Sequence, residues 1–281
     1  MTKQPEEIGM LAESGRLLAD VFSHLDRLNL IGMSTMQVND LVDDFIVRRL
    51  AARPASKGQY GYAYALNASP NSVVCHGVPS TAGILQDGDI VNFDITLEKN
   101  GYIADSSKTY LLGDVPPPAR RLVHTAYEAM WKGIQAVRPG ARLGDVGHAI
   151  ERHARRHGYS IVREYCGHGI DREMHEPPQV LHWGKPHGAD AARGHGVHHR
   201  ADAEPGAGCR SNRRGWLDGR YPRRKAICAV RACRRRHRHR SRCARVDLAP
   251  WRKEAALSQG FPRVATRRGA SRCFRPTPTR S

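Results

Sequence analysis

The chain has 281 residues, with 45 Lys+Arg against 27 Asp+Glu, 15 His and 7 Cys. That length can bury a substantial core. No run of about 18 apolar residues occurs, which excludes a transmembrane helix, and the cysteines are too irregularly spaced for a disulfide framework in a chain of this size. The opening MTKQPEEIGM lacks a charged-then-apolar signal pattern, so the expected compartment is cytoplasmic and no membrane partner is expected.

The formal charge of +18 invites a nucleic-acid-binding reading, but the charge is not spread along the chain. Residues 1–186 carry 20 Lys+Arg and 21 Asp+Glu, whereas residues 187–281 carry 25 and 6. Arginine supplies all but Lys225 and Lys253 of the basic residues in that second stretch, and five of the seven cysteines lie there. The first stretch reads as an ordered domain. The second reads as an Arg-rich tail whose composition predicts disorder, since few apolar groups and a high net charge cannot offset chain entropy.

In chain order, residues 5–29 predict a helix with Leu17, Val21, Leu25 and Leu28 in one stripe and Leu18 and Phe22 beside it. Ser34 or Thr35 can cap a second helix that buries Leu41, Phe45, Ile46 and Leu50. Residues 53–72 read as loop and short strand. Val73–Gly77 (VVCHG) and Asp89–Leu97 (DIVNFDITL) read as strands, and Asn100-Gly101 is a hairpin signal that returns residues 102–112 as a partner strand. Pro116 to Pro118 introduce a third helix with Leu122, Val123, Tyr127, Met130 and Ile134 inside. A fourth helix spans 143–157 and stops at Gly158. Ser160–Tyr165 (SIVREY) reads as a strand. This order predicts a mixed α/β fold with a repeated half.

Asp94 and Asp105 lie on the two arms of the predicted hairpin, so the turn can bring both carboxylates together. Asp94 alternates with apolar neighbours, which points it inward. Two buried carboxylates cannot both stay ionised without a proton or cation, and hard oxygen donors from both strands suit a divalent metal. In CGHGIDREMHEPPQVLH (166–182), His168 stands between two glycines that allow close approach, and His175 follows seven residues later. His76, followed by Gly77, is a third candidate.

VVCHGVP, VNFDITLEKNGYIADSSKTYLLG and YCGHGIDREMHEPPQVLH, in that order, strongly resemble type I methionine aminopeptidase over residues 1 to about 186. The resemblance implies the pita-bread fold, in which two related halves enclose two divalent metal ions (Co, Mn, Fe or Zn). It implies removal of the initiator methionine from nascent chains with a small second residue, and hence nascent N-termini and the ribosome as partners of a monomer. Position by position, it implies that Asp94 chelates one metal, Asp105 bridges both and His168 binds the other. It implies that His76 contacts substrate near the scissile peptide, that His175 stabilises the oxyanion, and that Tyr62 and Cys75 line the methionine pocket. Asp171, Pro177, Gln59 and Met174 depart from the family pattern.

The family needs two further Glu ligands, in a T-I-E-P-M strand motif and a late F-E-H motif, and neither occurs after residue 186. Glu204-Pro205 sits in ADAEPGAG, which does not read as a strand. Codons compatible with Ala189–Ala203, with the last two bases of each joined to the first of the next, spell LTLREGMVFTIEPML. Residues Trp216–Arg240 similarly permit GWTVVTRDGKLSAQFEHAVAVTAT. Both missing motifs return, their Glu codons straddling Arg200/Ala201 and Arg231/Ala232.

The sequence therefore predicts an aminopeptidase-like catalytic domain over 1–186, incomplete in its C-terminal half, followed by an out-of-frame tail over 187–281. Weak metal binding and low turnover are expected of the chain as written. The alternative is a non-catalytic aminopeptidase-like protein whose tail binds nucleic acid or other polyanions. Cys228, Cys233, His237 or His239, and Cys243 can be drawn as a zinc site in that tail, although their spacing matches no common zinc motif.

Overall fold

Helix α1 (Pro5–Leu25) begins where Pro5 needs no N–H partner and Glu7 reaches back to the Gln4 N–H at 2.8 Å. Leu18, Val21, Phe22 and Leu25, three or four residues apart, form its buried face. The helix ends four residues before the predicted boundary, and Leu17 and Leu28 are only half-buried. Helix α2 (Thr35–Asp44) is capped by Ser34, whose Oγ accepts from Gln37 N–H at 3.1 Å while the Gln37 side chain accepts from Ser34 N–H at 2.7 Å. Its buried stripe is Val38 and Val42, continued by Ile46 through one widened turn, Phe45–Arg49. Leu41, expected inside, is exposed at the edge of that stripe, to one side of Val38 and Val42. The computed structural model describes residues 3–138 and 140–186, and the backbone of two later strands at 197–205 and 228–234.

The first sheet comprises β1 (Arg53–Pro54), β2 (Leu66–Pro70), β3 (Ile90–Lys99) and β4 (Tyr102–Leu111). β1 and β2 pair with one edge of β3 and β4 with the other, all antiparallel. The β3–β4 turn is Asn100-Gly101 with φ of 54° and 78°, the left-handed pair that favours these residues. β3 is buried from Ile90 to Leu97 on both faces. Val91, Phe93, Ile95 and Leu97 alternate with Asn92, Asp94 and Thr96, so one face is apolar and the other polar. α1 packs against β3 and β4, fastened by Ser14 Oγ donating to the Tyr102 carbonyl at 2.8 Å and by Asp26 receiving Lys108 and the Tyr110 hydroxyl.

Helices α3 (Pro117–Ala136) and α4 (Leu143–Arg156) follow. Leu122, Ala126, Ala129, Met130 and Ile134 pack with Val146, Ile150 and Ala154. Gly133 admits Ile150, since a Cβ there would lie 2.8 Å from its Cδ1. Tyr127, expected inside, is exposed and stacks edge-on with Trp131. α4 stops at Gly158, φ 80°. Along the seam between the two helices, burial and the adjacent His157 hold the His153 imidazole below its ordinary range.

The second sheet is built from β5 (Tyr159–Ile161), β6 (Gly167–Gly169), β7 (Glu176–Val180), β8 (Val197–Pro205) and β9 (Cys228–Arg234). β5 and β6 pair with one edge of β8 and β9 with the other, while β7 extends from β6. The first half thus runs helix, helix, two short strands and a long hairpin pair. The second half repeats that order with β7 added, and the repeated half read from the sequence is present.

Three expectations need correction. VVCHG is a loop: Gly77 lies so close to β2 that a Cβ would sit 2.0 Å from the Ala68 carbonyl oxygen, and His76 takes φ 54°. SIVREY forms a strand only as far as Ile161, because Arg163–Cys166 turn to bring His168 onto its own short strand. Glu204 and Pro205 end a strand, opposite Ser160 and Tyr159. The proposed zinc cluster and the disorder expected of the tail fall outside the described side chains.

Glu151 ties α4 to the chain that follows it. Its carboxylate accepts from Gly184 N–H at 2.9 Å and from Arg155 and Arg163 at 2.8 and 3.3 Å. Burial pushes this carboxyl up, but the Gly184 hydrogen bond and the two guanidiniums outweigh burial and hold it below its ordinary value. A folded-state pKa below the unfolded one adds stability above the unfolded pKa, and that stability is lost as pH falls through the folded pKa. Glu151→Gln is therefore expected to lower the urea midpoint at pH 7. The gap to the unaltered chain should narrow once pH drops below about 4.5, the ordinary carboxylate value.

Candidate metal centre

In the β3–β4 ladder Asp94 faces Ser107 and Thr96 faces Asp105. Directly opposed residues share a face, as do residues two apart on one strand, so Asp94, Thr96, Asp105 and Ser107 all project from the polar side. Asp94 and Asp105 are diagonal neighbours there, 6% and 3% exposed. Asn67, opposite Asp94 on β2, donates to Asp94 Oδ2 at 3.3 Å. Thr96 Oγ1 is buried beside them with no protein partner.

The loop after β6 docks on the start of β4. Ile103 N–H donates to the Asp171 carbonyl at 2.7 Å, Arg172 lies over the Tyr102 ring and donates to its hydroxyl at 2.8 Å, and Ile103 packs with Ile170 and Met174. Gly169 permits the approach of β7, since a Cβ would lie 2.3 Å from the Pro177 carbonyl oxygen. Docking sets His168 Nε2 3.9 Å from Asp105 Oδ2. His168 Nδ1 donates to the Gly169 carbonyl at 2.9 Å. In the neutral ring Nε2 is then the unprotonated nitrogen, on the side of Asp105.

His175 comes within 4.5 Å of His168, ring centroid to centroid. Tyr62 donates to the Leu66 carbonyl at 2.9 Å, and burial followed by the negative charge of Asp94 pushes its phenol far above the ordinary range. His76 and Cys75 lie in the loop after β2, against the segment that leads into His168. Cys75 is buried with Val74 and Val162, and His76 meets Tyr165 edge-on at 5.6 Å. The fold thus brings Asp94, Asp105, His168 and His175 together with Tyr62 alongside, and links His76 and Cys75 to the turn leading into His168. Four site residues went unread in the sequence: Asn67, Thr96, Tyr165 and Tyr60. Tyr60 is 89% exposed, with its ring 6.3 Å from that of His175. Its only sequence signal is its place in the Gly-rich segment KGQYGYAY.

Comparisons with known proteins bear directly on this arrangement. Residues 9–206 match the model of metallopeptidase family M24. The chain belongs to that family. It is 40% identical over 181 residues to methionine aminopeptidase of Escherichia coli K12, covering 64% of this chain and 69% of that one. It is also 40% identical over 183 residues to methionine aminopeptidase B of a Synechocystis strain, covering 64% and 67%. The crystal structure of methionine aminopeptidase from Rickettsia prowazekii superposes with a TM-score of 0.78 at 32% identity, over 83% of this chain and 94% of that one. The fold is the pita-bread fold, and the M24 chain is a hydrolase of the metallo-aminopeptidase class.

The residues present fit a divalent metal. Two buried carboxylates, an imidazole with its Nε2 on their side and an unpartnered buried hydroxyl converge on one polar face, an oxygen-rich set with one nitrogen. A groove of about 630 Å³ lies elsewhere. It is lined by Arg152, Arg155, Arg163 and Trp183 along α4 and contains none of these groups.

Asp105→Asn keeps the shape of the side chain but removes its charge. It is expected to weaken Mn²⁺ binding at least ~10-fold in a calorimetric titration, with the circular dichroism spectrum unchanged. Gly77→Ala forces a Cβ onto the Ala68 carbonyl and should cost about 1–3 kcal/mol in urea unfolding.

Proposed function

We propose that this metallopeptidase removes the N-terminal methionine from nascent polypeptides with a small second residue, acting in the cytoplasm. The observation that carries the reading is the convergence of Asp94, Asp105 and His168, in a chain whose relatives are methionine aminopeptidases. Those three residues hold the divalent metal, which when bound supplies an activated water as nucleophile and polarises the scissile carbonyl. His175, exposed beside His168, is placed to donate to the oxyanion. His76 contacts the peptide at the same scissile bond. Tyr62 and Cys75 line the methionine pocket. Asn67 holds the Asp94 carboxylate in position from β2. Co, Mn, Fe and Zn all suit the donors.

We further propose that the chain as written is impaired, because residues 187–281 are an out-of-frame reading of the segment that carries two Glu ligands. The β8–β9 register supports this. Arg200 lies opposite Arg231 in the ladder, and these are the positions whose codons, shifted, restore the two Glu. Two strands that each owe a carboxylate to one site are expected to set those carboxylates opposite each other. The +19 charge of the last 95 residues favours a second reading, a non-catalytic protein whose tail binds polyanions.

Methionine release from a short Met-Ala peptide separates the two. The gene with two bases restored after the Pro186 codon is expected to encode a chain that releases methionine with added Mn²⁺ or Co²⁺. The chain as written should be at least ~100-fold slower, since two carboxylates that would hold the metal are lost. Equal activity in both would overturn the impairment, and activity in neither would overturn the aminopeptidase reading. Re-sequencing across the codons for Gly184 to Ala192 tests the frame directly.

A further inference from the structure

A second cluster of metal-ligating side chains lies on the seam between α3 and α4 and shares no residue with the site above. Glu128 projects from the middle of α3. His153 stands near the end of α4, and His157 just beyond it. One ligand atom from each of the three lies within 4.8 Å of the others. His153 and His157 are four residues apart on one helical face, with ring centroids 4.4 Å apart. Glu128 Oε2 is 3.0 Å from His153 Nε2, and its other oxygen is 3.2 Å from Nε2 of His124, one turn earlier on α3.

We propose that Glu128, His153 and His157 bind a divalent ion of the zinc class, with water or His124 completing the coordination, and that the ion clamps α3 to α4. The donor chemistry makes the choice. Two imidazoles with one carboxylate favour Zn²⁺, Ni²⁺ or Cu²⁺ over Mg²⁺ or Ca²⁺, which prefer all-oxygen sites. Ring orientation is set in advance: His157 Nδ1 donates to the His153 carbonyl at 2.9 Å, so in the neutral ring its Nε2 carries the free lone pair. The side chains come from two helices joined by a connection of a few residues, so an ion bound to all three links elements that hydrophobic packing already holds together. His153 is mostly buried and therefore held in place, whereas His157 is exposed and open to an entering ion. Lys132, one turn beyond Glu128, adds opposing charge, which makes the site weaker than a closed structural zinc site.

The test uses the full chain and Zn²⁺ in competition with a chelator of known affinity. The tail carries further His and Cys residues that could take up zinc, so the difference between variants is read rather than the total. His157→Gln alters an exposed side chain and leaves the helix core intact. It is expected to remove one Zn²⁺ equivalent, or to weaken it at least 10-fold, and to abolish part of the zinc-induced rise in Tm. Asp105→Asn should retain that equivalent, which separates this site from the β3–β4 site and from the fate of the aminopeptidase reading. Cu²⁺ loaded into the unaltered chain should show a nitrogen hyperfine contribution that His157→Gln loses. Identical zinc stoichiometry and identical Tm shifts in His157→Gln and the unaltered chain would overturn the proposal. So would equal filling of the site by Mg²⁺.

Discussion

Everything around the catalytic face follows from burying Asp94 and Asp105 together. Two buried carboxylates side by side on the polar face of β3 and β4 call for a counter-charge, because burying net negative charge is costly. β3 can be buried on both faces only because its apolar side is covered by α1 and its polar side turns toward the other half of the molecule. The hydrogen bond from Ile103 N–H to the Asp171 carbonyl then brings the second half close enough for His168 to reach Asp105. Lys3 adds a cation from the N-terminal segment, paired with Asp171 and Glu176, so the loop carrying His175 is held from two sides. This pair also gives a place to Asp171, one of the departures from the family pattern. Its carboxylate is buried, and Lys3 compensates the charge that a small residue would not have brought.

The repeated architecture sets the other constraint. In each half a long central strand is flanked on one edge by two short strands and on the other by a long antiparallel partner. In the first half the central pair carries the acidic ligands. In the second half the corresponding pair, β8 and β9, has backbone pairing but a sequence, VHHRADAEP against CAVRACR, with arginines at the opposed positions 200 and 231. Backbone order and side-chain chemistry therefore point in different directions in the same two strands, as they would if the frame and not the fold had changed.

Much of this was legible in the sequence wherever local chemistry decides conformation. Asn100-Gly101 specified a turn with two left-handed residues, and that turn alone predicts that Asp94 and Asp105 meet. Ser34 or Thr35 marked the start of α2, and Gly158 the end of α4. What failed was decided by tertiary contact. Val73–Gly77 has strand composition, yet the approach of Gly77 to the Ala68 carbonyl makes it a loop that carries His76. The buried side of α2 centres on Val38 and Val42 rather than Leu41, because position relative to the sheet, not side-chain size, selects the face. β8 has no apolar alternation at all, so periodicity gave no signal for it. The Glu128–His153–His157 cluster joins residues 25 positions apart on two helices. Only the i, i+4 histidines at the end of α4 and just beyond it hinted at it.

Charge balance ties the frame argument to the chemistry. Asp94 and Asp105 bring two negative charges, His168 none when it ligates as the neutral ring. One divalent ion is neutralised by that set. A second would leave two uncompensated positive charges in a buried polar face, and the cost of burying net charge is several kcal/mol per ion. Two further carboxylates restore neutrality, and the shifted codons at the opposed positions 200 and 231 encode two. On the proposed reading of the frame, the chain as written would favour at most one ion between Asp94, Asp105 and His168, while the same fold with two acidic residues on β8 and β9 would accommodate a pair.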